Sequence, residues 1–229
     1  MKGAVSGISL PTLAVIRFTR RGSPHDDALY DGLTPYSSLR SPRSSQSIVH
    51  EGTMTTPCMF AAREGNSITL ASILESIPDA SEELSKQDEH GNTALHLAAL
   101  TTGNALVATA MMKATPSTSR EWALILNSNG NSALHIASFY DSTGTFVKAL
   151  LADETVLGTL HQEAPNGHNA LHLAVSHGVV EVIEILINFG AMVDETSIEI
   201  AESKGHEEVK KVRWTRAGGW AEGWSEVPA

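Results

Sequence analysis

Cysteine is nearly missing from this chain: Cys58 is the only one in 229 residues. An intrachain disulfide is therefore impossible, and neither a zinc site built on thiols nor an iron–sulfur site can be assembled. A reducing compartment fits. Aromatic residues are scarce at 5% against 41% hydrophobic residues, so the interior has to be built from Leu, Ile, Val, Ala and Met. That favours packed helices over an aromatic-rich sandwich. No apolar run approaches the roughly 18 residues that suggest a membrane span, and no membrane association is expected.

Positive charge is also in short supply, and it is unevenly placed. Residues 1–50 hold six basic and three acidic side chains, whereas residues 51–229 hold ten basic and 23 acidic. A body of that sign repels phosphate backbones, whose binding relies on Lys and Arg displacing counterions. Direct nucleic-acid binding is not expected; a protein partner with a basic surface is.

The head, residues 1–52, shows no sustained periodicity and carries Pro11, Pro24, Pro35 and Pro42 among many serines. Such a mixture cannot bury enough surface to offset the entropy of ordering, and disorder is expected. Its opening, Lys2 followed by the mildly apolar Ala4 to Ile16, imitates a signal or transit peptide, but Pro11 interrupts the stretch and Arg17, Arg20 and Arg21 close it. Ser23-Pro24, Thr34-Pro35 and Ser41-Pro42 make Ser23, Thr34 and Ser41 candidate phosphorylation sites, where added negative charge would cancel the local positive charge.

From residue 56 the chain repeats itself, within a domain expected to span residues 53–213. Gly91-Asn92-Thr93-Ala94-Leu95-His96-Leu97-Ala98 returns as Gly130-Asn131-Ser132-Ala133-Leu134-His135-Ile136-Ala137 and as Gly167-His168-Asn169-Ala170-Leu171-His172-Leu173-Ala174. A worn copy precedes them at Thr56 to Ala61 and another follows at Thr196 to Ala201. From Met59 to His96, His135, His172 and Glu199 the steps are 37, 39, 37 and 27 residues. Gly91, Gly130 and Gly167 each follow a polar residue, the chemistry of a tight turn that needs positive φ. Thr93 and Ser132 then stand where a hydroxyl can cap a helix start, with Asn169 as a substitute. Leu95, Leu134 and Leu171 begin short apolar helices. In the last full unit Val179, Val182, Ile183, Leu186 and Ile187 trace a second helix, which Gly190 ends. Neither helix of a pair can cover its own apolar face, so each unit must stack on its neighbours.

These strings resemble the ankyrin repeat, whose period is about 33 residues. The resemblance implies an all-α solenoid of about five stacked helix-turn-helix units, with His96, His135 and His172 tying helix starts to neighbouring loops. Because the steps exceed that period, extra residues near Pro78 to Lys86, Pro116 to Leu126 and Asp153 to Glu163 should leave the stack as longer connections. The lengthened units and the stretch from Asn166 to Ala191 look like the I-kappa-B branch, which implies retention of a Rel-type (NF-kappa-B) transcription factor in the cytoplasm, with a nuclear presence as well. A general adaptor unrelated to Rel factors is the alternative, and an enzyme the remote one.

Surface candidates for a partner are the turn residues Asp88, Glu89, His90, Asn92, Asn129, Asn131, Asn166 and His168, together with the inner helices and Trp122 of the middle insertion. The bland reading of Trp122 is packing on a helix flank. His168, His172 and His177 have helical metal-ligand spacing, yet the repeat places His168 in a turn and His172 in a structural role, so no metal is expected. No nucleophile elbow, phosphate loop or dinucleotide fingerprint occurs, so neither catalysis nor a cofactor is expected. The free protein is expected to be monomeric. Residues 214–229, where Trp214, Trp220 and Trp224 alternate with glycines, form an irregular tail.

Overall fold

A computed structural model describes residues 55–101, 104–206 and 209. The head, its phosphorylation candidates, both domain boundaries and the Trp/Gly tail lie outside the described residues. Within them the chain is helical, with no strand. Four helix pairs follow one another: α1 (Pro57–Arg63) with α2 (Ser67–Ser76), α4 (Ala94–Thr101) with α5 (Ala105–Ala114), α6 (Ala133–Tyr140) with α7 (Thr145–Leu151), and α9 (Ala170–His177) with α10 (Val180–Asn188). A last inner helix, α11 (Glu195–Lys204), closes the described stack, and short helices α3 (Ala80–Ser85) and α8 (Glu154–Leu157) sit in two of the insertions.

Helices of seven to ten residues do not persist alone in water. They are held by caps and by stacking. Thr56, Asn66, Asn104, Ser132, Asn169 and Asp194 each accept a backbone N–H in the first turn of the helix that follows, while Gly178 and Gly205 end α9 and α11 in the left-handed conformation. The inner helices pack in the order α1, α4, α6, α9, α11, and the outer helices in the order α2, α5, α7, α10. One continuous apolar core runs between the two rows.

The insertions depart from the expectation that they leave the stack. Each contributes fully buried apolar side chains: Leu84 from α3, Trp122 from a 3-10 turn at Glu121–Leu124, and Val156 and Leu160 at α8. The 3-10 turn contacts α3 on one side and α8 on the other, so the extra residues build a third row. Polar links reinforce it. Ser81 Oγ donates to the Ser119 carbonyl at 3.0 Å, and Arg120 pairs with Asp153 and donates to the Thr115 carbonyl. A connection that carries its own buried side chain gains more by packing than by projecting into water.

Candidate functional site

Between each outer helix and the next inner helix the chain turns back on itself, and these turns form a row. In the first, the Gly91 N–H donates to the Asp88 carbonyl at 2.9 Å, and in the second the Gly130 N–H donates to the Asn127 carbonyl at 2.8 Å. The third repeats the pattern from Gly167 to Ala164 at 2.8 Å. All three glycines have φ between 72° and 77°. A Cβ on Gly91 would stand 2.6 Å from the Ser128 backbone nitrogen, so there the next turn requires glycine for close approach as well as for its φ.

Side chains lock the turns to themselves and to one another. Asp88 Oδ1 accepts the N–H groups of His90 and Asn92, and Asn127 Oδ1 those of Asn129 and Asn131. The Ser128 N–H reaches the His90 carbonyl, and the Asn127 amide donates to Asn92 Oδ1 at 3.1 Å. The third turn has Ala164 at the equivalent place, and Asn166 Oδ1 takes the His168 N–H instead. Asn127 and its counterpart Asp88 thus hold the turns through a position four residues before each motif asparagine. The sequence offered one clue to Asn127: an Asx residue recurring at a fixed offset from the glycine.

The motif histidines join the turns to the helices. The Ser132 N–H donates to His135 Nδ1 at 3.3 Å while the His135 N–H donates to Ser132 Oγ, a reciprocal cap that Asn169 and His172 repeat. With Nδ1 accepting, the neutral rings of His96 and His135 carry their proton on Nε2. His96 Nε2 donates to the Asn131 carbonyl at 3.0 Å and His135 Nε2 to the Gln162 carbonyl at 2.9 Å. Burial disfavours the charged ring and pushes both from 6.5 down to about 4. The Nε2 of His172 faces a side chain rather than a carbonyl: it lies 2.8 Å from the carboxylate of Asp194, the cap of α11. Burial raises the Asp194 carboxyl, but the hydrogen bonds from His172 and Ser197 outweigh it and leave the group below its ordinary value.

Not every surface candidate reaches the surface. Glu89, His90 and Asn166 are exposed, and Asp88, Asn129 and His168 are half-buried. Asn92 and Asn131 are buried, held inward by the turn hydrogen bonds that make them recur. Trp122 is 1% exposed inside the third row. These three are corrected: a partner cannot touch their side chains in the folded stack. The inner helices also offer less than expected, since Ala94 to Leu100 and Ala133 to Phe139 are buried throughout. What α6 and α9 present lies at their C-terminal ends, at half-buried Tyr140 and His177, with His177 tilted against Phe139 at 4.9 Å. His168 packs edge-on against His172 at 5.5 Å, and burial lowers its pKa.

A family model of ankyrin repeats (three copies) matches residues 58–159 and 134–212. The chain belongs to the ankyrin-repeat family. Ankyrin repeats act as protein-interaction modules and are generally not enzymatic. The repeats are similar to those of the B-cell lymphoma 3 protein of Homo sapiens, 31% identical over 150 residues, and of its homolog in Mus musculus, 29% identical over 150 residues. Each match covers 65% of this chain but only 31% and 32% of the relatives. The chain thus spans about a third of the length of the curated relatives it matches. No helix among the described residues is long and apolar enough to cross a membrane.

Proposed function

We propose that this ankyrin stack binds a protein with a basic surface through its turn row, and that the partner is a Rel-type transcription factor held in the cytoplasm, with the complex also reaching the nucleus. The observation that carries the reading is a rigid row of turns offering Glu89, His90, Asn129 and Asn166, on a body whose acids outnumber its bases by 23 to ten. Turns tied down before binding lose little entropy on binding. Acidic side chains steer a basic partner and set its register. The similarity to B-cell lymphoma 3 proteins, which are I-kappa-B family members, supports the Rel assignment. The adaptor reading differs in requiring unrelated partners.

The test is titration of the full chain with a purified Rel-type dimer at low and moderate salt. Binding that weakens as salt rises supports the proposal. A complex insensitive to salt removes the electrostatic part. Failure to bind any Rel-type domain removes the Rel assignment and leaves the adaptor.

A further inference from the structure

The two ends of the described stack are finished differently. At the C-terminal end α11 turns Glu195, Glu199 and Glu202 to water, the polar outer face a terminal unit needs. The first unit has no such face. Phe60 of α1 holds the place that Leu97, Ile136 and Leu173 hold in the following inner helices. Those three are 5%, 0% and 3% exposed, and Phe60 is 54% exposed. Pro57 is exposed where Ala94, Ala133 and Ala170 are buried. The outer helix shows the same opening: Thr69 is exposed where Val107, Phe146 and Val182 are fully buried, and Ile73 is half-buried where Met111, Leu150 and Leu186 are fully buried. In later units these positions lie on helices that pack against the helices of the unit before: α4 on α1, α6 on α4 and α9 on α6 in the inner row, and α5 on α2, α7 on α5 and α10 on α7 in the outer row. Ile68 does not belong to this set, because its counterpart Leu106 is also exposed with a unit in front of it.

We propose that the open face of the first unit, formed by Pro57, Phe60, Thr69 and Ile73, is covered by the chain's own preceding segment, residues 48–54, with Ile48, Val49 and Met54 as the apolar contacts. Tethering selects this occupant over a second molecule. Residue 54 joins directly onto Thr55 at the foot of α1, and the seven steps from Ile48 to Thr55 span up to roughly 25 Å. The ten residues of α2 rise only about 15 Å. An occupant on so short a leash is present at an effective concentration in the millimolar range. Ile48, Val49 and Met54 are the apolar side chains of that segment, and burying even one of them with Phe60 is favourable at about 25 cal/mol per Å². The segment then serves as the N-terminal cap of the stack, a role that the worn first repeat cannot fill alone.

Thiol accessibility at the open face tests this in the full chain. Thr69→Cys places a probe there, while the native Cys58 is buried, with burial pushing its thiol up to about 11, and stays silent. The cap slows alkylation of the probe at least tenfold relative to the same chain carrying Ile48→Asp and Val49→Asp, with circular dichroism confirming that both chains are folded. Equal rates in the two chains overturn the proposal. Protection that survives the two substitutions and varies with protein concentration also overturns it and assigns the face to a second copy. As a second readout, hydrogen exchange in α1 and α2 quickens when Ile48 and Val49 are replaced; unchanged exchange contradicts the cap.

Discussion

Trp122→Ala tests the third row of the stack most sharply. The indole is 1% exposed and lies in the 3-10 turn between α3 and α8. Truncating a buried tryptophan to alanine costs about 3–5 kcal/mol, part lost transfer and part unfilled cavity. With a urea dependence of about 2 kcal/mol per molar, the unfolding midpoint falls by about 2 M. The indole nitrogen has no hydrogen-bond partner, so Trp122→Phe keeps most of the volume and discards an unpaired donor. Its cost should stay below about 1.5 kcal/mol. Glu121→Ala, an exposed neighbour, should shift stability by about 0.5 kcal/mol or less. The assay is urea unfolding followed by far-ultraviolet circular dichroism, which is indifferent to the tryptophans of the tail. If Trp122→Ala unfolds within about 1 kcal/mol of the parent, the insertions are loops and the third row does not exist.

Three further outcomes follow from the same packing. His96 and His135 are held neutral at about 4 in the fold against 6.5 for the free ring; as pH falls from 6.5 towards 4 the unfolded chain takes up protons that the folded one refuses. Stability should therefore drop over that window by on the order of 3 kcal/mol per ring, and His135→Gln should remove its share of the slope in urea titrations from pH 7 to pH 4. Gly91→Ala should destabilise more than Gly167→Ala, since both pay for positive φ, about 1–2 kcal/mol, but only Gly91 would drive a Cβ to 2.6 Å from a backbone nitrogen; equal melting shifts would contradict the turn-to-turn contact. Asp194→Ala strips α11 of its cap and His172 of its acceptor, so amide exchange should quicken in α11 while α4 stays protected, and uniform exchange would refute so local an effect.

The repeat, the order of helices and the caps Ser132 and Asn169 were legible in the sequence, because a glycine and a small polar residue recur at fixed offsets where the backbone needs positive φ or a capping oxygen; the caps Asn66, Asn104 and Asp194 stand outside that motif and were not. The third row was not, since its residues share no motif: Leu84, Trp122 and Val156 sit in segments of unlike length, and only packing aligns them. The turn row was legible in part. Asn92 and Asn131 recur like surface residues, yet they recur because Asp88 and Asn127 bind their amides and bury them. The exposure of Phe60 among the described residues was also unreadable, because in the sequence Phe60 looks like any other core position of an inner helix.

Amide hydrogen exchange of the full chain with and without a Rel-type dimer addresses the central claim, that the turn row is the binding face. Slowed exchange at residues 88–91, 128–130 and 166–168, with α3 and α8 unchanged, is the expected result. Protection confined to α3 and α8 on the third row, with the turns unaffected, would contradict it.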